Sequence, residues 1–519
     1  MVDITGHPVA QLTAMGLHLI EQITVLGAPE AVPRVQDVLI DGDRFAIVAP
    51  RIEGSTFRVD ERTDGRGKLM VPGLINAHHH SHDRFDKGRF SPLPLELWMS
   101  LYNPPTHDRG WTADEVYLRT LLNGVEMLRG GTTSVVDDIH FGGVLQPVLI
   151  DAAFRAYQTL GIRADVGVAW CDRPFHEAIP HLADVLPPAL LTQTTAGRSS
   201  AQEVLDLWRS LSREWKGRCR FVVSPSAPQR CSERFLTESW DLAAAAGRPV
   251  HVHVLETRIQ ALAAQRIYGV SMIEFMRRLG ILTPNAVLAH GIWVSASDLD
   301  MIADARATVV HNPACNLKLG SGIAPIAEML TRGINVALGT DNNGGNDSNS
   351  MFDAMRLASL AGSLVNKSLE PIVNASCSLN LATEGGALAM GGQSDVGRIA
   401  AGYLADFCLL DTQGSAFTPL NDPVTQLVFC EQGQSVTGVY IGGRKLVDRG
   451  RVTSIDEREL WQEVADRLSV MQSKVQHGIA YAERLRPFLE TAYRRCRDEP
   501  WMAALIGAQN LIDIPAASG

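Results

Sequence analysis

Short apolar or β-branched segments alternate with longer segments of helical period through the middle of the chain. This alternation is typical of a parallel sheet built from repeated strand–helix units. Eight repeats of this size match a closed (β/α)₈ barrel, or TIM barrel, of the α/β class. The predicted strands are residues 69–78, 132–138, 163–169, 221–226, 250–256, 286–292, 307–312 and 335–341.

Shorter strands of alternating pattern flank this region on both sides. Before it, residues 37–40 and 45–48 are separated by the turn Asp41-Gly42-Asp43. After it, the predicted strands are 405–410, 434–441 and 445–447, with a turn at Gly442-Gly443. We therefore expect both chain ends to pair into one small β-sandwich beside the barrel.

Beyond Asp456, apolar residues recur every three to four positions, which predicts a C-terminal extension of two amphipathic helices. Most apolar stripes pack against their own domain, and an oligomer contact is the alternative for this one. The predicted domains are residues 1–68 and 386–455 for the two parts of the β-sandwich, 69–385 for a metal-binding barrel, and 456–519 for the helical extension.

The composition narrows the class of partner. The chain has 519 residues, 45% of them hydrophobic, and a formal net charge of -10. Because no basic run is longer than the Arg494-Arg495 pair, the chain lacks the positive surface that binding to nucleic acid or an anionic membrane requires. We expect a small cyclic molecule and water as partners, and a homo-oligomer as the assembly.

The eight cysteines stand singly and form no CxxC pair, which favours reduced thiols over disulfides. The N-terminal segment is broken by Asp3, His7 and Gln11 and lacks the features of a signal peptide. No segment stays apolar long enough to cross a bilayer. We therefore expect a soluble cytoplasmic protein.

Ionisable residues cluster where the predicted strands end, which is where a barrel of this kind carries its chemistry. On the first strand, alternation puts His78 and His80 on one face and His79 on the other, and His82 follows in the loop. Two imidazoles at that spacing can both bind a zinc ion at about 2.0 to 2.1 Å. The alternative is a histidine-rich loop without a function.

The fifth strand offers His251 or His253 as a further ligand, because one parity of a strand faces inward. Glu256 lies just past this strand, where a carboxyl group could protonate a leaving nitrogen, and that position favours His253 as the ligand. His290 and Asp341 end the sixth and eighth strands. Burying such groups unpaired costs several kcal/mol each, so their convergence indicates a metal centre.

These residues lie in motifs that resemble the metal-dependent amidohydrolase superfamily, in the subgroup of cytosine/guanine-type deaminases, adenosylhomocysteine deaminases and s-triazine or phenylurea hydrolases. The resemblance covers most of the chain. It implies that His78, His80, His253 and Asp341 bind the metal, that Glu256 shuttles the proton, and that His290 orients water or polarises the substrate. The motifs are, in order, Pro72-Gly-Leu-Ile-Asn-Ala-His-His-His, Gly131-Thr-Thr-Ser-Val-Val-Asp137, His251-Val-His-Val-Leu-Glu256, Leu288-Ala-His290, His311-Asn-Pro-Ala-Cys-Asn316-Leu-Lys-Leu319, Ala337-Leu-Gly-Thr-Asp341, Ala382-Thr-Glu-Gly-Gly-Ala and Gly402-Tyr-Leu-Ala-Asp406.

Three departures from the family pattern bear on the metal and the substrate. Binuclear members bridge two metals with a carbamylated lysine on the fourth strand, and residues 221–226 contain no lysine, so one metal is expected. The segment Ser224-Pro-Ser226 has serine where nucleoside-deaminating relatives carry a substrate-binding histidine. After Asp341, the segment Asn342-Asn343-Gly-Gly-Asn346-Asp347 replaces a commoner Gly-Ala-type loop, which sets the pocket apart from the best-known deaminases.

The expected activity is that of a mononuclear-zinc hydrolase that cleaves a carbon–nitrogen bond by deaminating an amino-substituted N-heterocycle. Zinc makes hydroxide accessible near neutral pH, and iron or manganese would suit the same ligands. The catalytic candidates are Glu256 as proton donor to the departing nitrogen, His290 to hold the developing charge or the attacking oxygen, and Asp341 to take a proton from water.

Pockets for flat rings combine aromatic stacking with fixed hydrogen-bond donors. Ordinary loop packing is the alternative for each residue of this kind. The candidate substrate-binding residues are Trp98, Tyr102, Gln229, Arg230, Asn316 and Lys318.

Two other functions stay open. The same metal site could hydrolyse an aryl-urea, an amide or a chloro-substituted ring, because the metal ligands do not specify the leaving group. A non-catalytic binding protein on the same barrel is the alternative outside enzymes, although such a protein would normally have lost a ligand or Glu256. A metallo-β-lactamase-type site is excluded, since its aspartate precedes the final histidine of the motif, whereas Asp83 follows His82.

Overall fold

The computed structural model describes residues 16–53, 58–102, 109–193, 198–365, 369–391, 395–502 and 505. Val223 bridges Val250 between the fourth and fifth barrel strands, and Asp341–Asn342 pairs in parallel with His79 and His80 of the first strand. The ring of strands therefore closes, which confirms the predicted (β/α)₈ barrel. Its strands are Leu74–His80, Thr132–His140, Arg163–Ala169, Cys219–Val222, Val250–Val254, Ala286–His290, Thr308–His311 and Asn335–Leu338, the last continued by Asp341–Asn342.

The first predicted strand is two strands in the structure, divided at Gly73. Lys68–Pro72 pairs with Phe407–Asp411 in a separate sheet, and Leu74–His80 enters the barrel. A Cβ at Gly73 would lie 2.2 Å from Thr133 Oγ1, so this crossing needs glycine. The prediction of one continuous strand over 69–78 is wrong, because both strands are buried and the apolar pattern runs on across the break.

The separate sheet has nine strands and draws on both ends of the chain. Its core includes Val38, Phe45, Phe407 and Tyr440, and the last two rings stack with centroids 4.4 Å apart. A two-layered sandwich stays a prediction, and residues 1–15 of the predicted first domain lie outside the described residues. The strands are Leu17–Val25, Arg34–Asp41, Arg44–Ala49, Glu61–Asp64, Lys68–Pro72, Phe407–Asp411, Val436–Ile441, Arg444–Asp448 and Arg451–Val452.

Helices surround the barrel, and the largest apolar core lies between them and the strands. Thr112, Ser200 and Ser295 each begin a helix as an N-cap in a capping box, which satisfies free backbone N–H groups. Short 3-10 helices span Ser81–Asp86, Phe175–Glu177 and Pro228–Arg230. The α-helices before the C-terminal extension are Leu95–Tyr102, Ala113–Arg129, Pro147–Leu160, Leu182–Val185, Pro188–Gln193, Ala201–Glu214, Glu233–Ala245, Arg258–Tyr268, Met272–Arg278, Ala296–Ala305, Pro313–Lys318, Ile326–Thr331, Asn343–Asn346, Met351–Val365, Ala375–Leu381, Glu384–Ala389 and Pro423–Phe429.

The C-terminal extension contains the helices Glu457–Glu483 and Arg486–Arg497. Leu489 is 2% exposed and packs in one apolar core with Ile179 and Ile259 of the barrel. The apolar stripe of the second helix therefore packs against its own chain. Among the helices of the described residues, none combines the length and the apolar character needed to cross a membrane.

Candidate metal centre and active site

Five ionisable side chains meet at the carboxyl end of the barrel: His78, His80, His253, His290 and Asp341. They come from the first, fifth, sixth and eighth strands, so the fold brings together residues that are far apart in the sequence. The ligand atoms of His78, His80 and Asp341 lie within 4.8 Å of one another, as do those of His78, His253 and His290. The predicted convergence is therefore present in the structure.

The spacing of the donor atoms suits one divalent cation. His80 Nε2 lies 3.3 Å from Asp341 Oδ1 and 3.2 Å from His253 Nε2, and His78 Nε2 lies 3.8 Å from Asp341 Oδ1. Nitrogen and oxygen donors around a shared zinc ion stand about 3.0 to 3.6 Å apart, given bonds of about 2.1 Å. The His80–Asp341 and His80–His253 distances match this spacing, and the His78–Asp341 distance is slightly longer.

His78 gives independent support for a cation. The residue is 1% exposed, and neither ring nitrogen has a hydrogen-bond partner among the described residues. Buried polar groups are almost always paired, so an unpaired imidazole that faces three other donors fits a site for a cation. The donor set, its spacing and this unpaired ring all fit a bound divalent metal.

The charge states of the histidines bear on the same point. Burial holds the pKa values of His78 and His253 well below their usual range, so both rings are neutral, which is the form that binds a metal. Burial also lowers the pKa of His80, but the hydrogen bond and charge of Asp341 raise it to about 10. A metal cation at the centre would compete with that proton for the Nε2 atom of His80.

Backbone carbonyls hold two of the rings from behind. The Nδ1–H group of His253 donates to Ser226 O at 2.7 Å, and that of His80 donates to Asp138 O. Each bond fixes the tautomer that leaves Nε2 free to face the centre. Asp138 in turn accepts from the Ser224 hydroxyl. The sequence pattern placed Asp138 at a strand end but gave no sign of this supporting role.

The structure separates the two histidines of the fifth strand. His253 faces the centre, whereas His251 lies deeper in the barrel beside Asp165 and Arg248. Burial lowers the pKa of His251 to about 4. Among the described residues, His251 belongs to none of the groups that could hold a metal ion. The choice of His253 over His251 as a metal ligand stays a prediction.

Glu256 and His290 adjoin the centre. His290 Nε2 lies 3.6 Å from Glu256 Oε2 and 3.6 Å from Asp341 Oδ2, and His290 Nδ1 lies 2.9 Å from Asn316 Oδ1. Burial raises the pKa of Glu256 to about 7, with the negative charge of Asp341 adding to the shift. Glu256 therefore carries a proton in a large fraction of molecules near neutral pH.

Three residues at the strand ends have left-handed backbone, with φ of 52° at Leu255, 78° at His290 and 60° at Asp341. This conformation costs roughly 1 to 3 kcal/mol for a residue other than glycine and clusters at functional sites. All three lie at or next to the residues that converge at the centre. Residue type and periodicity do not reveal such angles.

The candidate substrate-binding residues have varied positions. Asn316 contacts His290, as described above. Trp98 is fully buried in a cluster with Cys315, and Lys318 Nζ donates to Gly344 O at 3.0 Å and pairs with Asp347. The side chain of Tyr102 lies outside the described residues. For all of these residues, contact with a substrate stays a prediction.

Gln229 and Arg230 line a small cavity. Gln260 also lines it, and the Oε1 atom of Gln260 accepts the Glu256 backbone N–H at 2.9 Å. Sequence analysis did not single out Glu96, although its carboxyl group lines the same space two residues before Trp98. The lining residues are Glu96, Met99, Phe175, Ala178, Ile179, Gln229, Arg230, Ile259 and Gln260.

Comparison with known proteins relates this geometry to one family. The sequence model described as Amidohydrolase family matches residues 69–446. The 5'-deoxyadenosine deaminase of Methanothermobacter thermautotrophicus is 32% identical over 421 residues, which are 81% of this chain and 91% of that protein. The 5-methylthioadenosine/S-adenosylhomocysteine deaminase of Acetivibrio thermocellus is 32% identical over 406 residues, which are 78% of this chain and 87% of that protein.

A solved structure with a fold similar to that of this chain contains a bound metal ion. The crystal structure of an adenosine deaminase from Xanthomonas campestris with bound zinc matches with a TM-score of 0.78 at 26% sequence identity. The match covers 88% of this chain and 98% of that chain.

Proposed function

The chain belongs to the amidohydrolase family, and from that premise we propose that it is a zinc-dependent hydrolase that deaminates an amino-substituted N-heterocycle. The observation that carries the proposal is the convergence of three imidazoles and Asp341 beside a buried, protonatable Glu256. The relatives named as deaminases support the reaction, and the zinc in the Xanthomonas campestris structure supports the choice of metal.

The ligands in this proposal are His78, His80, His253 and Asp341. When bound, zinc supplies a Lewis acid that raises the acidity of water and polarises the bond under attack. Burial raises the pKa of Asp341, but the surrounding histidines hold it well below the usual range of a carboxyl group. Asp341 is therefore a carboxylate that can accept a proton from water.

Glu256 and His290 complete the proton path. Glu256, with a pKa of about 7, delivers its proton to the departing amino nitrogen. His290 Nε2 lies 3.6 Å from Asp341 Oδ2 and 3.6 Å from Glu256 Oε2, so it can hold the attacking oxygen or the charge that develops there. Both carboxyl groups thus face the same ring nitrogen of His290.

We also propose the domain limits and the place of action. Residues 1–68 and 386–455 would form the small β domain, residues 69–385 the metal-binding barrel, and residues 456–519 the helical extension.

All eight cysteines are free thiols, which supports a reducing compartment such as the cytoplasm. Assembly as a homo-oligomer stays a prediction.

A substrate screen tests the function. The zinc-loaded protein is incubated with aminopurines, pterins, aminopyrimidines, chloro-triazines and aryl-ureas, and ammonia, amine and chloride release are measured. Ammonia release from at least one amino-heterocycle is expected. Release of only amine or chloride would overturn deamination and leave a hydrolase with another leaving group, and no release from any compound would overturn both.

A further inference from the structure

A second buried carboxyl group, that of Glu96, is bonded to the turn that carries Glu256. Glu96 lies on the helix Leu95–Tyr102 and is 5% exposed, and Glu256 is 4% exposed. Glu96 Oε1 accepts the Thr257 hydroxyl at 2.5 Å, and Thr257 directly follows Glu256 in the chain. Two carboxyl groups from distant parts of the sequence are therefore buried at one turn of the backbone.

The fold fixes the backbone of this turn. Leu255 has left-handed backbone, with φ of 52°, and its carbonyl oxygen accepts two backbone N–H groups from the segment after the sixth strand, at 3.0 Å each. Gln260 Oε1 accepts the Glu256 N–H at 2.9 Å. Because these bonds hold the turn from two sides, the bond from Thr257 keeps the Glu96 carboxyl group at a fixed place beside it.

The charge of Glu96 is not neutralised by an ion pair. Within the part of the chain that the structure describes, Glu96 Oε2 has no hydrogen-bond partner and the carboxyl group pairs with no basic side chain. Burial raises the pKa of Glu96, and the Thr257 hydroxyl and the charges of Arg230 and Arg258 oppose this shift. Charges interact more strongly in a buried site than in water, so an ionised Glu96 acts on titratable groups around the turn.

Charged groups from four elements act on Glu256. Burial raises the pKa of Glu256 to about 7, and His290 on the sixth strand and Arg230 after the fourth oppose this shift. Asp341 on the eighth strand and Glu96 add to it. A bound cation would offset the charge of Asp341, which is a candidate ligand. Among the described residues, Glu96 belongs to none of the groups that could hold a metal ion, so its effect would persist in the metal-loaded protein.

We propose that Glu96 is a positioning residue for Glu256: it holds the turn through Thr257, and its negative charge keeps the proton on Glu256 until the amino nitrogen departs. The inference rests on the proposed function, in which Glu256 donates that proton. Two neighbouring buried carboxyl groups resist losing both protons, so one stays protonated to higher pH than it would alone. Glu96 thereby extends the pH range in which Glu256 can act as a donor.

Infrared difference spectroscopy of the zinc-loaded full-length protein tests this effect without a substrate. The C=O stretch of a protonated carboxyl group disappears as the pH rises, and the band that Glu256→Gln lacks belongs to Glu256. We expect the midpoint of this band to be lower in Glu96→Gln than in the wild type by roughly one pH unit, because a neighbouring negative charge is lost. Glutamine keeps an oxygen that accepts the Thr257 hydroxyl, so the bond to the turn is retained.

Two further variants serve as controls. Glu177→Gln removes an equal charge from an exposed side chain on the short helix Phe175–Glu177 and should leave the midpoint unchanged. Glu96→Asp keeps the charge on a shorter side chain and should restore part of the shift. Thermal melting shows whether each variant folds. Because the interaction is reciprocal, Glu256→Gln should lower the midpoint of the Glu96 band by the same amount, which keeps the test open if Glu96→Gln does not fold.

Kinetics relate the titration to the reaction. In Glu96→Gln the decline of kcat/KM at high pH should begin roughly one pH unit lower than in the wild type, which makes kcat/KM at alkaline pH roughly tenfold lower. If no amino-heterocycle is turned over, the proposed function fails, and the infrared midpoint still tests the interaction between the two carboxyl groups. An unchanged midpoint in folded Glu96→Gln, an equal shift in Glu177→Gln, or an unmoved pH profile overturns the inference.

Discussion

His80 and His253 reach the centre with the same ring nitrogen, because a backbone carbonyl holds each ring from behind. The carbonyls belong to Asp138 and Ser226, on the second strand and after the fourth. Supporting bonds of this kind orient metal ligands and raise their basicity. At the scale of single residues, the site therefore depends on groups that never touch the metal or the substrate.

Replacing Glu256 by glutamine tests its role as proton donor. Glu256→Gln keeps the size of the side chain and its hydrogen-bonding reach but removes the transferable proton. We expect metal content equal to that of the wild type and a kcat lower by roughly 10² to 10⁴, the range typical of general acid catalysis. Elemental analysis and steady-state kinetics measure both quantities, and near-normal kcat with full metal content would remove Glu256 from this role.

The pH dependence of the reaction follows from the pKa of Glu256. Burial raises that pKa to about 7, so the side chain is protonated at lower pH and loses its proton as the pH rises through this value. If the proton is delivered in the reaction, kcat/KM of the wild type falls with increasing pH above about 7. A pH profile of kcat/KM from 5 to 9 measures this, and the residual activity of Glu256→Gln should lack the decline.

Residue types at strand ends were enough to predict which side chains converge at the barrel mouth. His78, His80, His253 and Asp341 follow from strand parity and from the family motifs, the structure brings their side chains together, and their role as metal ligands stays a prediction. Asp138 and Glu96 were missed, because one acts through its backbone carbonyl and the other lies on the helix Leu95–Tyr102, whose place beside the cavity depends on tertiary contacts. The left-handed angles of His290 and Asp341 were equally invisible, since they depend on tertiary contacts.

At the scale of elements, the segments after the first and eighth strands are joined by Asp83. Its carboxylate accepts the backbone N–H groups of Asn343 at 3.0 Å and Gly344 at 2.7 Å, and it is 1% exposed. Asn343 Nδ2 also donates to His80 O at 3.3 Å. These bonds join the segments that follow His80 and Asp341, which lie on two different strands.

Weakening this connection should loosen the metal. In Asp83→Asn, an amide N–H group faces the backbone donors, so at least one buried bond is lost, at a cost of about 1 to 3 kcal/mol in the free energy of unfolding. We expect zinc affinity to fall roughly 10- to 100-fold. Competition with a chromogenic chelator measures it. Asp353→Asn is the control, since Asp353 accepts from the Ser348 hydroxyl in the same region and has no hydrogen bond to the first strand among the described residues. Equal zinc affinity in both variants contradicts this role for Asp83.

The barrel strands were predictable because buried parallel strands are short, apolar and regularly spaced. Arg163–Ala169 has the predicted bounds. The break at Gly73 was not predictable from pattern, since Lys68–Pro72 and Leu74–His80 are both buried and differ only in the sheet they join. Pairing partners such as Phe407–Asp411 are more than three hundred residues away, and local sequence does not encode them.

At the scale of the whole molecule, the C-terminal extension supports the wall of the cavity. Ile179 and Ile259 line the cavity and share an apolar core with Leu489 of the last long helix. The family match ends at residue 446, so this support comes from outside the matched segment. The extension therefore packs against residues that line the cavity.

Truncating Leu489 tests that connection. Leu489→Ala leaves a hole in a buried core and should cost about 2 to 5 kcal/mol in the free energy of unfolding. We expect KM to rise while metal content stays constant, because the cavity wall relaxes and the ligands do not move. Leu468→Ala is the control, since Leu468 is 43% exposed and its loss should cost about 0.5 kcal/mol or less. Denaturant unfolding and kinetics measure both effects, and an unchanged KM in Leu489→Ala would show that the extension does not shape the pocket.

We propose that one divalent ion, held by His78, His80, His253 and Asp341, makes the chain a hydrolase. To test this, the protein is stripped with a chelator and zinc is titrated back while activity and bound metal are measured on the same samples. We expect no activity after stripping and a linear recovery that ends at one zinc per chain. Full activity in the stripped protein, or a recovery that continues to two zinc ions per chain, would contradict it.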